Sequence, residues 1–220
     1  MSLCQPNSDF SCGACCGLFN LDLKPYEYRN LLLERTTFFK QKVDYKVSWT
    51  IVEFRKEREF KESTLPKKDE QIYNCPFLGF IDEVHSKIGC MIHPVFTGDP
   101  LSQNFSFYGA SICQGYNCKN KESSNSLLWE KFLSKLDLDF FSYSILAGDP
   151  IFFSYLSDYI QELGFTLEEF VKQHPNVLVE IIKQRLERGN KNITSFEIDM
   201  DGNIFTSAKE KLEEKFQIEL

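Results

Sequence analysis

The chain has 220 residues, a net charge of −7 and a pI near 5.1. That acidity argues against nucleic acid or an anionic membrane surface as a default partner, since both need a basic footprint. No apolar run approaches the ~20 residues of a membrane span, while a hydrophobic share of 42% with 21 Phe is ample for the core of one or two domains.

Met1 to Pro6 carries neither a basic nor an apolar stretch of the kind a secretory signal has, so a cytoplasmic location with reduced thiols is expected. Residues 1–17 read as loop. Within them, Cys12-Gly13-Ala14-Cys15-Cys16-Gly17 packs three thiols into five residues. Cys12 and Cys15 have the spacing of a chelating pair, because two intervening residues let the backbone turn once and face both sulfurs to one ion. Cys16 cannot simply join Cys15, since neighbouring side chains diverge. It serves a second metal, another corner of a cluster, or nothing.

A helix should begin at Pro25, with Tyr28, Leu31 and Leu32 as its apolar stripe. Residues 36–62 are ambiguous: Val47, Ile51 and Phe54 fit a helix, whereas Val47, Trp49 and Ile51 fit a strand. The mixed charges of Arg55 to Glu59 read as a solvated face, and Thr64 to Asp69 as a linker. Ile72 to Ile81 and Ile88 to Ile92, with polar residues between, predict a β-hairpin that would bring Cys75 and Cys90 together. Residues 94–118 lack periodicity and end in Cys113-x4-Cys118, and a metal clamping both ends would account for such a stretch. His93 follows Cys90 closely but reads as structural.

From Ser123 the texture becomes helical. Ser126 should cap a helix with Leu128, Phe132, Leu133 and Leu136 on one face, and Gly148-Asp149-Pro150 is a break. Phe152 to Leu163 has helical spacing. Thr166 and Glu169 form a capping box for a short helix ending near His174. Asn176 should cap the next, with Gly189 as its stop. Phe196 to Phe205 reads as a hairpin, and a last helix should start near Ser207. Asp199-x-Asp201-x-Asn203 imitates a calcium loop, but Ile204 stands where its glycine belongs.

The expected fold class is α+β: an irregular, cysteine-rich, metal-clamped unit with a β-hairpin over residues 1–120, then a mainly helical unit over 121–220. All eight cysteines, at 4, 12, 15, 16, 75, 90, 113 and 118, fall in the first part, whose charge is nearly balanced; residues 119–220 carry most of the net negative charge. Disulfides would require an oxidising compartment that nothing indicates. Inert buried thiols suit a single cysteine such as Cys4 better than eight in half a chain. Redox catalysis by Cys12 and Cys15 would need a thioredoxin-like context that is missing. Metal ligation is the reading that remains.

These residues resemble the bacterial cysteine-cluster family named for its Cys-x-x-Cys-x-x-Cys-Cys pattern and described as zinc- or iron-chelating. The resemblance is carried by Cys12-Gly13-Ala14-Cys15-Cys16, Cys75-Pro76-Phe77-Leu78, Gly89-Cys90-Met91-Ile92 with Pro94, and the later Cys113, and it covers residues 4–118. The pattern's first cysteine would stand at Asp9, so either Asp9 ligates or Cys4 substitutes. The spacer from Pro94 to Cys113 is also longer than the family's. The resemblance implies a metal-binding module holding zinc, iron or a 4Fe–4S cluster, with the helical half free to dock a protein partner. A partial resemblance to the cysteine-cluster region of flagellin lysine methylase implies the alternative, an iron–sulfur enzyme of methyl-transfer or redox type.

Cys12, Cys15, Cys75 and Cys90 are expected closest together, with Cys16, Cys113, Cys118 and Cys4 as an outer set or second site. Eight thiolates would suffice for two four-thiolate zinc sites, or for one cubane with some left over.

Overall fold

The computed structural model describes residues 3–4, 11–116, 118–189 and 208–220. Asp9, the expected hairpin 196–205 and the calcium-like stretch lie outside them.

The first ordered element is a single 3-10 turn, Ala14–Cys16, followed by another at Leu18–Asn20. Helix α1 (Pro25–Lys42) starts at the expected proline, and the Glu27 carboxylate reaches back to the Lys24 N–H at 2.7 Å. Its stripe runs on beyond Leu32 through Arg35, Thr36 and Phe39, all buried. Helix α2 (Ser48–Glu62) settles the ambiguous stretch. Ile51, Phe54, Arg58 and Glu62 are buried at helical spacing, whereas Trp49, required by the strand reading, is 60% exposed. The solvated-face reading of Arg55 to Glu59 needs a correction at Arg58, which is buried between Glu62 and Glu34.

The hairpin forms with strands shorter than expected: β1 (Leu78–Phe80) pairs antiparallel with β2 (Ile88–Cys90), Leu78 opposite Cys90. The Asp82 carboxylate closes the turn, accepting from the N–H groups of Ser86 and Lys87. Residues 94–118 are more ordered than their lack of periodicity suggested. They hold α3 (Pro94–Thr97), a 3-10 turn (Ser102–Phe105) and α4 (Gly109–Gly115). Side-chain hydrogen bonds pin these turns, such as Thr97 to Ser102 at 2.9 Å and the Ala110 N–H to Asn104 at 2.8 Å. Such pins leave no hydrophobic period to read.

The remaining helices are α5 (Lys119–Glu122), α6 (Ser126–Leu133), α7 (Phe140–Ala147), α8 (Pro150–Glu162), α9 (Leu167–Gln173), α10 (Pro175–Glu187) and α11 (Ala208–Phe216). The capping box of Thr166 and Glu169 forms at α9. Asn176 is not the cap of α10: Pro175 takes the first helical position, which its fixed φ suits, and His174 precedes it. Likewise Asn125, not Ser126, precedes α6.

With two paired strands among the described residues and helices elsewhere, the fold is α+β. None of these helices is long and apolar enough to cross a membrane. Three apolar clusters make the core. One joins α6 to α11; a second gathers Ala14, Phe19, Tyr28 and Leu32 with Phe140, Phe141 and Ile145; a third lies between α1, α2 and the hairpin around Phe39, Phe54 and Phe77. Helix α7 thus contributes to the same cluster as the residues beside the first cysteines.

Candidate metal site

The site is organised by the turn Ala14–Cys16. Gly17 ends it with φ +80°, and a Cβ there would lie 2.3 Å from the Tyr73 carbonyl oxygen. That close approach lets the Cys75 N–H donate to the Cys16 carbonyl at 3.0 Å. Buried Asn20 holds the arriving segment, donating to the carbonyls of Asp69 at 2.9 Å and Ile72 at 3.0 Å. On the other side, the Gly13 N–H donates to Ser144 Oγ at 3.1 Å, and the Cys12 thiol faces the Ser144 carbonyl at 4.0 Å. Gly148 has no Cβ to strike Ala14, so the end of α7 packs directly on the turn.

Cys12 and Cys16 therefore face different surroundings. Cys12 packs against the first and second apolar clusters, Cys16 against the second and third. Cys4 is tied to Cys12, whose N–H donates to the Cys4 carbonyl at 2.9 Å. The Cys4 thiol shares a hydrogen bond with Cys118, and Cys12 and Cys15 are its next thiol neighbours. Cys118 caps the first turn of α5, accepting from the Lys121 N–H at 3.4 Å. Cys16 contacts Cys15 and is flanked by Cys75 and Cys90. Cys75 has Cys90 and Cys113 beside it. Gln103 Nε2 points at Cys90 Sγ from 3.8 Å, and Ser106 Oγ lies 3.6 Å from Cys113 Sγ. Cys15 is exposed; the others are half-buried or, at Cys75, buried.

Cys75 and Cys90 are neighbours, as the hairpin required; Cys16 lies by both, Cys15 by Cys90 and by Cys12, and Cys12 has Cys4 and Cys118 beside it as well. The histidines do not join. His93 caps α3, its Nδ1 accepting from the Val95 N–H at 3.2 Å, and His174 lies against Phe165 and Phe170.

Electrostatics favours the protonated thiol in the metal-free chain. Burial pushes Cys75 up to about 12 and Cys90 up to about 11, and raises Cys12 and Cys113 too. Contact with Cys15, then burial, raises Cys16; contact with Cys118, then burial, raises Cys4. Several groups work the other way. The Ala14 N–H donates to Cys12 Sγ at 3.5 Å, and the backbone at Phe77 and at Ile92 favours the thiolate of Cys75 and of Cys90 in the same sense. Buried Arg35 donates to the carbonyls of Cys75 at 2.9 Å and Leu78 at 3.3 Å, pairs with Glu62, and places its cation beside Cys75 and Cys16. Burial by itself would lower the Arg35 pKa; Glu62 first, then Cys75 and Cys16, raise it above its ordinary value.

Among the described residues no three His, Cys, Asp or Glu side chains are already gathered as a ligand set for a metal ion. The donor chemistry nevertheless fits a thiophilic ion: several sulfurs lie near one another among the described residues, with N–H and O–H donors beside Cys12, Cys90, Cys113 and Cys118. Sequence reasoning missed Ser144, Asn20, Gln103 and Arg35. Only Arg35 left a signal, as a charge on the buried stripe of α1.

Comparisons with protein-family models, with curated proteins and with solved structures found no match to this chain. The resemblance of its cysteine pattern rests on the residues quoted above.

Proposed function

We propose that this is a metal-binding protein whose cysteine thiolates hold zinc or an iron–sulfur cluster, in a cytoplasmic, reducing setting where those thiolates persist. The observation that carries the reading is the set of hydrogen bonds to sulfur. The N–H groups of residues 14 and 121 donate to Cys12 at 3.5 Å and Cys118 at 3.4 Å, and Gln103 Nε2 and Ser106 Oγ lie 3.8 Å and 3.6 Å from the sulfurs of Cys90 and Cys113. A neutral thiol is a weak acceptor and gains little from such donors, whereas a metal thiolate is stabilised by them. At Cys118 the donor also caps α5, but inert core cysteines would have no use for donors at Cys12, Cys90 and Cys113. A bound metal supplies the positive charge that keeps buried thiolates ionised; the residues named here position the sulfurs and limit access of water.

Anaerobic purification followed by metal and sulfide analysis tests the reading. Zinc without sulfide, or iron with matching sulfide, supports it. A chain that takes up neither ion after anaerobic reconstitution under reducing conditions overturns it.

A further inference from the structure

Resting on the metal-binding reading, we infer that the eight thiols serve two separate centres, Cys4, Cys12, Cys15 and Cys118 at one and Cys16, Cys75, Cys90 and Cys113 at the other, with the turn Ala14–Cys16 as the wall between them.

The first set is fastened to α7. The Tyr143 hydroxyl donates to the Leu3 carbonyl, next to Cys4. The Cys12 thiol meets the Ser144 carbonyl, and Asn120, two residues after Cys118, donates to the Ala147 carbonyl at 2.9 Å. The N-terminal stretch, at Leu3 and at Cys12, and the distant segment after Cys118 thus converge on one short helix, bringing Cys4, Cys12 and Cys118 to it. The second set is fastened to the hairpin and α1. The Cys75 N–H is bonded to Cys16, and Cys90 stands opposite Leu78 in the sheet. Arg35 of α1 holds the carbonyls of both Cys75 and Leu78. Gln103 and Ser106 tie Cys90 and Cys113 to one turn, since Ser106 Oγ donates to the Gln103 carbonyl at 2.8 Å.

The turn enforces the division. In a 3-10 turn successive side chains point roughly 120° apart, three residues completing the circle. Cys15 and Cys16 touch, so the two centres adjoin, but their thiols leave the backbone in different directions and do not suit one tetrahedral ion. The count then assigns Cys15. Cys16, Cys75, Cys90 and Cys113 already make the four thiolates a closed zinc site requires. Cys4, Cys12 and Cys118 are three, and Cys15, which lies between the sets with Cys4 and Cys12 on one side and Cys16, Cys90 and Cys113 on the other, is the thiol left to complete them. The centres also differ in shelter. The second contains buried Cys75 over buried Arg35, whereas the first depends on exposed Cys15. The first should therefore give up its metal sooner.

The reduced, metal-free full chain should be titrated anaerobically with cobalt(II), whose thiolate charge-transfer and d–d bands report four-sulfur coordination, and then with zinc(II). Two equivalents should bind. Cys118→Ser should bind one, keeping the second centre's four-sulfur spectrum. Cys90→Ser should also bind one, keeping the first; if that variant fails to fold, Cys113→Ser, half-exposed on α4, serves in its place. A chelator should remove one zinc at least about tenfold faster than the other. A single equivalent in the unaltered chain overturns the partition, as does the loss of both equivalents in Cys118→Ser with its circular dichroism intact. So does one four-iron cluster that Cys118→Ser and Cys113→Ser abolish alike. Uptake of neither cobalt, zinc nor iron would instead remove the metal-binding reading from beneath it.

Discussion

Arg35 shows how much a single side chain under the thiols carries. Its guanidinium is buried, paired with Glu62, and bonded to two carbonyls of the hairpin segment. Arg35→Leu strands those carbonyls, but Glu62 keeps Arg58 as a partner. The cost should be about 3 kcal/mol, from unpaired acceptors and a weakened buried ion pair. Glu62→Leu removes the carboxylate that neutralises buried Arg35, leaving it only two carbonyls, and leaves Arg58 the half-exposed Glu34, so it should cost more than Arg35→Leu. Urea unfolding followed by circular dichroism gives both values, and the reverse order would contradict this account of the cluster. The sequence held half of this. Tyr28, Leu31 and Leu32 marked the stripe of α1, and Arg35 lies on its continuation. Arg58, however, sits in a run of mixed charges and looks solvated until α2 is turned so that Ile51 and Phe54 face inward.

Helix boundaries were legible where a cap uses local chemistry and obscure where it depends on a distant partner. Thr166 and Glu169 announce α9 because both halves of the box lie within four residues. Asp149 looks like part of a mere break, yet it does two jobs. It caps α8, accepting from the Phe152 N–H at 3.0 Å, and it pairs with fully buried Arg185 of α10 at 2.7 Å. The two can be separated. Asp149→Asn keeps a good capping group but removes the charge that Asp149 sets against buried Arg185, and should cost about 3 kcal/mol. Asp149→Ala loses the cap as well, and should cost about 1 kcal/mol more. Equal destabilisation by the two substitutions would show that the cap contributes nothing. The short turns of 94–118 escaped the sequence for a related reason: threonine, serine and asparagine side chains hold them, and those residues are equally at home in loops.

Across the whole molecule, the number of cysteines and their confinement to residues 4–118 could be read directly, but not their grouping. That depends on α7 returning to the turn over 132 positions of sequence, from Cys12 to Ser144. The same assembly fixes how stability responds to pH, with opposite signs for the metal-free and metal-loaded chain. Without metal, the raised pKa values make the folded thiols hold their protons more tightly than the unfolded chain, whose thiols titrate near ~8.5. Their contribution is complete below that value. It is lost as pH climbs towards about 11 at Cys90 and about 12 at Cys75. Over that window the folded state binds more protons than the unfolded state, so stability falls with rising pH, by at most about 1.4 kcal/mol per unit for each thiol. With metal bound, the protons have left the folded chain, and below ~8.5 it is the unfolded state that binds more of them. Stability must then rise with pH towards that value and collapse in acid as protons displace the metal. Urea midpoints of the two forms between pH 5 and pH 10 should therefore slope in opposite directions, the loaded form upward at the acid end and the metal-free form downward at the alkaline end. A loaded chain whose midpoint does not change between pH 5 and pH 8 would mean that its thiols are not the ligands.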